Sequence, residues 1–83
     1  MQQVIIYTKS YCPYCVKAKA LLDKKGAAYK EINAEEDNHF KEMLQKSNGM
    51  KTVPQIFIGN THVGGCDNLY ALDKEGKLDP MLR

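Results

Sequence analysis

Residues 4–22 read VIIYTKSYCPYCVKAKALL, a short apolar run followed by two cysteines and a helix-like segment. A strand that leads into a helix through this loop places Cys12 at the helix N-terminus. There the free backbone N–H groups and the helix macrodipole stabilise negative charge. A thiol in such a setting has a pKa of roughly 3.5–7.5 instead of about 8.5, so we expect Cys12 to be largely thiolate at neutral pH. Because Cys15 lies one turn further along, the spacing predicts thiol–disulfide exchange.

The composition is that of one ordinary globular domain, residues 1–83. Apolar residues make up 43% of the chain and charged residues 27%, which is typical of soluble domains with one modest core. The formal charge of +2 is too small to predict a nucleic-acid or membrane surface. The first residues carry no signal-peptide pattern, and an odd count of three cysteines does not suit a disulfide scaffold. We therefore expect a cytoplasmic protein that binds neither nucleic acid nor membranes.

Apolar periodicity and turn signals predict the order β-α-β-α-β-β-α. The predicted strands cover residues 3–8, 28–32, 55–58 and 61–63, the predicted helices cover 13–25, a segment ending near 48 and 67–73, and a short terminal turn covers 78–82. Asn33, with Glu36 three residues on, is expected to cap the second helix, and Asp67 the third. A βαβ unit needs a parallel strand pair and the later hairpin an antiparallel one. The sequence therefore predicts an α/β fold with a four-stranded mixed sheet and helices on both faces.

Two cysteines separated by two residues are only moderately specific, and two other interpretations stay open. One is half of a zinc site, which needs four ligands and usually a second ligand pair. Only Cys66, His39 and His62 remain for that purpose, and none of them is paired at ligand spacing. The other is chance burial of two unrelated cysteines. The strand–loop–helix context favours the redox interpretation, and both histidines are expected to be structural or surface residues.

Two further motifs and one lysine are candidates for a site beside the cysteines. Thr52-Val53-Pro54 is either an edge device before a strand or a cis Val53–Pro54 bond that turns the Val53 backbone towards the cysteine loop. Gly64-Gly65-Cys66-Asp67 is a turn with a helix cap, or a set of exposed N–H groups that binds a carboxylate while Asp67 pairs with an ammonium group. Lys9 would stabilise a thiolate or hold a carboxylate.

Tyr14 and two more lysines carry weaker signals. Tyr14 lies between the cysteines, where an aromatic ring is either simply exposed or forms one wall of a substrate groove. Lys41 and Lys51 are candidates for the same role as Lys9, although each also fits an ordinary solvated charge. The sequence does not decide whether either contacts a ligand.

Together these motifs resemble the signature set of the dithiol glutaredoxins, and the short length and third cysteine resemble the bacterial glutaredoxin 3 type. The resemblance extends over nearly the whole chain. It implies a thioredoxin-like fold with strand order 2-1-3-4, a cis proline at Pro54, and glutathione as co-substrate with no permanently bound cofactor and no metal.

The resemblance also assigns roles to individual residues. Cys12 is the nucleophile and Cys15 the resolving thiol. The residues assigned to the glutathione site are Lys9, Tyr14, Thr52, Val53, Pro54, Gly65, Cys66 and Asp67. The implied partners are glutathione and glutathionylated or disulfide-bonded proteins, acted on by a monomer.

Two rival functions remain at this point. The first is a thioredoxin-like reductase served directly by a flavoprotein, which would not need the Gly64-Gly65-Cys66-Asp67 loop. The second is an iron–sulfur cluster carrier that bridges two chains through Cys12 and glutathione. Such carriers usually have a glycine-containing active site with one cysteine, so Pro13 and Cys15 disfavour that role.

Overall fold

The strands and helices follow the predicted order, with a short helix where a terminal turn was expected. The computed structural model describes residues 1–83. The elements are β1 (Val4–Thr8), α1 (Pro13–Lys24), β2 (Tyr29–Asn33), α2 (Asp37–Lys46), β3 (Gln55–Ile58), β4 (Thr61–Gly64), α3 (Cys66–Lys74) and α4 (Leu78–Leu82).

The four strands form one mixed sheet in the order β2-β1-β3-β4. β1 pairs with β2 in parallel and with β3 antiparallel, and β3 pairs antiparallel with β4. Tyr7, near the end of β1, pairs with Gln55 at the start of β3. This register brings the loop after β1, which ends at Cys12, beside the segment that precedes β3. The predicted strand order and mixed sheet are confirmed.

Helices cover both faces of the sheet, as predicted. Successive side chains of a strand point to opposite faces. Val4 and Ile6 of β1 pack with α1, α3 and α4 in the larger apolar cluster. Tyr7 packs on the other face, with Met43 of α2 and Phe57 of β3. The cysteine helix α1 and the helix α3 therefore lie on the same side of the sheet.

Two predicted helix caps are wrong. Asn33 is the last residue of β2, because the β1–β2 ladder extends to a Thr8–Asn33 pair. Its side chain accepts a hydrogen bond from the Glu35 N–H at 2.8 Å, and α2 begins four residues later. The third helix begins at Cys66 with Gly65 as its cap, so Asp67 lies inside the first turn and does not cap it.

Tyr7 makes a polar contact between the sheet and α2. It is fully buried, and its hydroxyl donates a hydrogen bond to the Glu42 carboxylate. Burial raises the pKa of the Tyr7 hydroxyl, and the hydrogen bond to Glu42 and the negative charge of Glu42 raise it further. The folded protein therefore retains this proton at alkaline pH values at which the unfolded chain releases it.

Replacing Tyr7 by phenylalanine should lower the free energy of unfolding by about 1–2 kcal/mol at neutral pH, because Glu42 loses a hydrogen-bond donor. The raised pKa of Tyr7 contributes fully to the free energy of unfolding below the ordinary tyrosine pKa of about 10. Above that pH the contribution falls, by about 1.4 kcal/mol per pH unit. The difference between parent and Tyr7→Phe should therefore shrink at alkaline pH. Denaturant unfolding measures it, with exposed Tyr11→Phe as the control. A difference that stays constant with pH would contradict this account.

Candidate active site

Cys12 and Cys15 lie at the start of α1, as their spacing predicts. Cys12 is the N-cap residue in an extended conformation, and its Sγ accepts a hydrogen bond from the Cys15 N–H at 3.2 Å. Pro13, which follows it, has no N–H to leave unpaired in the first turn. The two cysteines form a disulfide in this structure, with Cα atoms 5.2 Å apart.

The two sulfurs differ in their access to solvent. Cys12 is partly exposed, whereas Cys15 is only 1% exposed. The first turn of α1 contains no acidic side chain, so no nearby carboxylate on that turn opposes negative charge on Cys12. An accessible sulfur at a helix N-terminus with a buried second sulfur behind it is suited to attack by the first and resolution by the second.

A groove on one side of the cysteine loop brings together seven of the eight residues predicted for the glutathione site. Its volume is about 290 Å³. Its lining residues are Tyr14, Met50, Thr52, Val53, Pro54, Gly65, Cys66, Asp67 and Asn68. We call this feature the Asp67 groove.

The segment before β3 forms one wall of the Asp67 groove. The Val53–Pro54 peptide bond is cis, as predicted, and Pro54 is buried. The Val53 carbonyl oxygen lies 3.9 Å from Cys12 Sγ. The backbone of this segment therefore passes directly beside the accessible sulfur.

The N-terminus of α3 forms the opposite end of the groove. The first N–H groups of a helix have no partner within the helix and face outward, where they bind anions. Asp67 is exposed, and Cys66 is 5% exposed. Burial raises the pKa of the Cys66 thiol, the positive charge of Lys17 opposes this shift, and the negative charge of Asp67 adds to it. Cys66 therefore remains a protonated thiol under conditions that ionise an accessible one.

Lys9 lies outside the Asp67 groove. It lines a second, larger groove of about 720 Å³ that opens on Cys12 and Cys15 from the side of β2. Its ammonium group lies 4.9 Å from the centroid of the Phe40 ring. Lys41 and Lys51 are exposed and line neither groove.

Two lining residues were missed in the sequence. Met50 is exposed and lies two residues before the Thr52-Val53-Pro54 motif. Asn68 follows Asp67 in the first turn of α3. Their proximity in sequence to the two motifs was the available signal, but neither residue type suggests a particular chemistry.

The family model described as Glutaredoxin matches residues 4–63. The chain belongs to the glutaredoxin family. Glutaredoxin 3 of Escherichia coli strain K12 is 52% identical to it over 83 residues, which cover 100% of both chains.

Solved structures support the same family. The solution structure of glutaredoxin from Brucella melitensis is 57% identical, with a TM-score of 0.86, and the match covers 99% of this chain and 89% of that one. A crystal structure of the buckwheat glutaredoxin–glutathione complex is 40% identical, with a TM-score of 0.85, and the match covers 95% of this chain and 74% of that one.

This glutaredoxin is a glutathione-dependent thiol–disulfide oxidoreductase with a thioredoxin-like fold. The predictions of family, fold class and enzymatic activity are therefore confirmed. None of its helices has the length and apolar character that a membrane crossing requires.

Proposed function

We propose that the Asp67 groove binds the glutathione moiety of the substrate, that Cys12 is the nucleophile, and that Cys15 is the resolving thiol. The observation that carries this proposal is the position of the Val53 carbonyl oxygen, 3.9 Å from Cys12 Sγ at the wall of the groove. A short peptide paired with this backbone would bring its cysteine sulfur next to Cys12.

The charges along the groove suit glutathione, a tripeptide with two carboxylates and one ammonium group. The N–H groups of Cys66 and Asp67 at the start of α3 suit the γ-glutamyl carboxylate. The exposed Asp67 carboxylate suits the adjacent ammonium group. Tyr14, Thr52, Pro54 and Gly65 provide the remaining walls. Lys9 is proposed for the edge of the site, on the other side of Cys12.

In the monothiol route, the Cys12 thiolate attacks the glutathione sulfur of a mixed disulfide. A Cys12–glutathione disulfide forms, the original disulfide breaks, and the substrate leaves as a thiolate that takes up a proton. The thiolate of a second glutathione then attacks the bound glutathione sulfur. This step releases glutathione disulfide and regenerates the Cys12 thiolate, which is both a good nucleophile and a good leaving group.

In the dithiol route, Cys12 attacks a disulfide of a protein substrate and forms a mixed disulfide with it. Cys15 loses its proton and attacks Cys12 Sγ, which breaks the mixed disulfide and leaves the Cys12–Cys15 disulfide of this structure. Two glutathione molecules reduce that disulfide and leave as glutathione disulfide. The 5.2 Å between the Cα atoms lies within the usual range for a disulfide.

We further propose protein substrates that carry a glutathione mixed disulfide or a disulfide of their own. Tyr11, Tyr14 and Val16 are exposed around the cysteine loop and offer apolar contact to such a protein. We propose that the enzyme acts as a monomer in the cytoplasm, with no permanently bound cofactor.

The test of the proposed function is a coupled assay with glutathione and a small mixed disulfide that contains glutathione. Formation of glutathione disulfide is followed through its reduction by glutathione reductase. We expect saturable turnover, and a much lower rate with a disulfide of equal size that lacks the glutathione moiety. Equal rates for the two disulfides would contradict a glutathione site.

Replacing Asp67 by alanine should raise KM for the mixed disulfide with little change in kcat. The expected loss is about 1–2 kcal/mol, typical of a partly exposed charge-assisted hydrogen bond. Because Asp67 is not the cap of α3, its loss removes only a favourable charge from the first turn. The measurement is steady-state kinetics at low ionic strength.

Asp67→Asn is the matched control, since it keeps the shape of the side chain and removes the charge. It should show most of the rise in KM. The affinity of the parent should also fall with added salt more than that of Asp67→Asn. Unchanged KM in both variants would remove Asp67 from the binding site.

A further inference from the structure

Gln55 is a fully buried polar side chain that the mechanism above does not use. It is the first residue of β3 and 0% exposed. Its Nε2 donates hydrogen bonds to the carbonyl oxygen of Thr52 at 2.9 Å and to Thr52 Oγ1 at 3.1 Å. Its Oε1 lies 2.7 Å from His62 Nε2. We call these contacts the His62–Gln55–Thr52 chain.

The chemistry of the three groups fixes the direction of these hydrogen bonds. A carbonyl oxygen only accepts, so the Gln55 atom that faces the Thr52 carbonyl must be the amide nitrogen. Gln55 Oε1 then faces His62, and His62 Nε2 must donate to it. This nitrogen carries a proton in either charge state of the ring, so the hydrogen bond persists when His62 is protonated.

His62 is itself held in place at the outer strand of the hairpin. The His62 ring stacks on the Phe57 ring, with centroids 4.9 Å apart and planes inclined by 25°. His62 is also the cross-strand partner of Phe57 in the β3–β4 pairing. The chain therefore runs from a fixed ring on β4 through a buried amide on β3 to the wall of the Asp67 groove.

Thr52 is held by the His62–Gln55–Thr52 chain because the strand pairing of β3 begins only at Gln55 and does not include it. Residues 51–54 lie outside every helix and strand, and no backbone–backbone hydrogen bond holds them. The carbonyl oxygen of Thr52 instead receives its hydrogen bond from Gln55. The neighbouring Val53 is the residue whose backbone lies beside Cys12.

We propose that Gln55 is a positioning residue which, anchored by His62, holds the Thr52–Val53 backbone in the orientation that binds the glutathione moiety. The inference rests on the proposed assignment of the Asp67 groove. A segment without this hydrogen bond must be ordered by the ligand, and that ordering reduces affinity. Gln55 therefore acts on substrate binding and not on the reactivity of Cys12.

Gln55→Met is the informative substitution, since it keeps the length of the side chain and removes both donated hydrogen bonds. We expect KM for a glutathionylated peptide to rise by about three- to tenfold, the value of one or two lost hydrogen bonds, with kcat unchanged. Turnover of a small disulfide without glutathione should match that of the parent. His62→Phe keeps the stacking on Phe57 and should raise KM in the same direction by less.

Ile58→Val serves as the control for general weakening of β3, since Ile58 is buried at the far end of the same strand. It should lower thermal stability without moving KM. If Gln55→Met folds and its KM equals that of the parent, or if KM rises equally in Ile58→Val, the positioning role is wrong. A failure of the proposed function looks different, because the parent would then show no preference for the glutathionylated substrate.

Discussion

Replacing Cys12 by serine should reduce both mixed-disulfide and protein-disulfide exchange to background. The serine hydroxyl stays protonated at neutral pH and is a poor nucleophile without an adjacent base. No other thiol can take over the attack, since Cys15 is 1% exposed and Cys66 is 5% exposed. Steady-state assays with a glutathione mixed disulfide and with a protein disulfide measure the two activities.

Cys15→Ser should separate the two routes. It should retain turnover of the glutathione mixed disulfide, because a second glutathione resolves that intermediate. It should lose most reduction of a protein disulfide, which needs a second thiol within reach of Cys12. Trapped Cys12–substrate disulfide should accumulate and be visible by mass spectrometry.

The third cysteine provides the control. Burial raises the pKa of the Cys66 thiol, and Cys66 lines the Asp67 groove without a proposed part in the exchange. Cys66→Ser should therefore retain both activities, with at most a change in KM. Equal loss of mixed-disulfide turnover in Cys12→Ser and Cys15→Ser would refute the assignment of nucleophile and resolving thiol.

Local sequence signals were sufficient to predict most of the fold. The continuous apolar run of β1 predicts a strand buried on both faces, and its successive side chains point to opposite faces, with Ile6 towards α1 and Tyr7 towards α2. The prediction that Asn33 caps α2 was wrong because the capping signal depends only on neighbouring residues, whereas strand pairing depends on residues distant in sequence. Pairing with Thr8 across the sheet keeps Asn33 in β2, although the same residue is well suited to cap a helix.

The candidate site could be predicted where short sequence motifs indicate its chemistry. The presence of Cys12, the Val53 backbone and the N-terminus of α3 in one site is indicated by motifs of residues adjacent in sequence. The side of Cys12 on which Lys9 lies is not indicated in this way, since three residues of separation leave that direction open. The hydrogen bonds of Gln55 were also hidden, because they depend on a partner, His62, that the β3–β4 hairpin brings alongside.

Gly64→Ala should destabilise the turn between β4 and α3. Gly64 is buried and has a φ of +109°, a conformation in which L side chains are strained. An added Cβ would also overlap the side-chain amide of Asn68, a residue of the groove wall, and this flexible side chain must then shift. We expect the free energy of unfolding to fall by about 2–3 kcal/mol, measured by denaturant unfolding, and KM for the mixed disulfide to rise as well.

Gly65→Ala is the matched control at the neighbouring position. Gly65 has a φ of −93°, and its added Cβ would lie 3.6 Å from the Pro54 carbonyl oxygen, an ordinary contact. Alanine is a poorer helix cap than glycine, so the expected cost is below about 1 kcal/mol. The difference in lost free energy of unfolding between Gly64→Ala and Gly65→Ala measures the effect of the backbone conformation at Gly64, apart from the effect of replacing a small residue. Equal losses at the two positions would show that the positive φ at Gly64 is not what makes glycine necessary in the turn between β4 and α3.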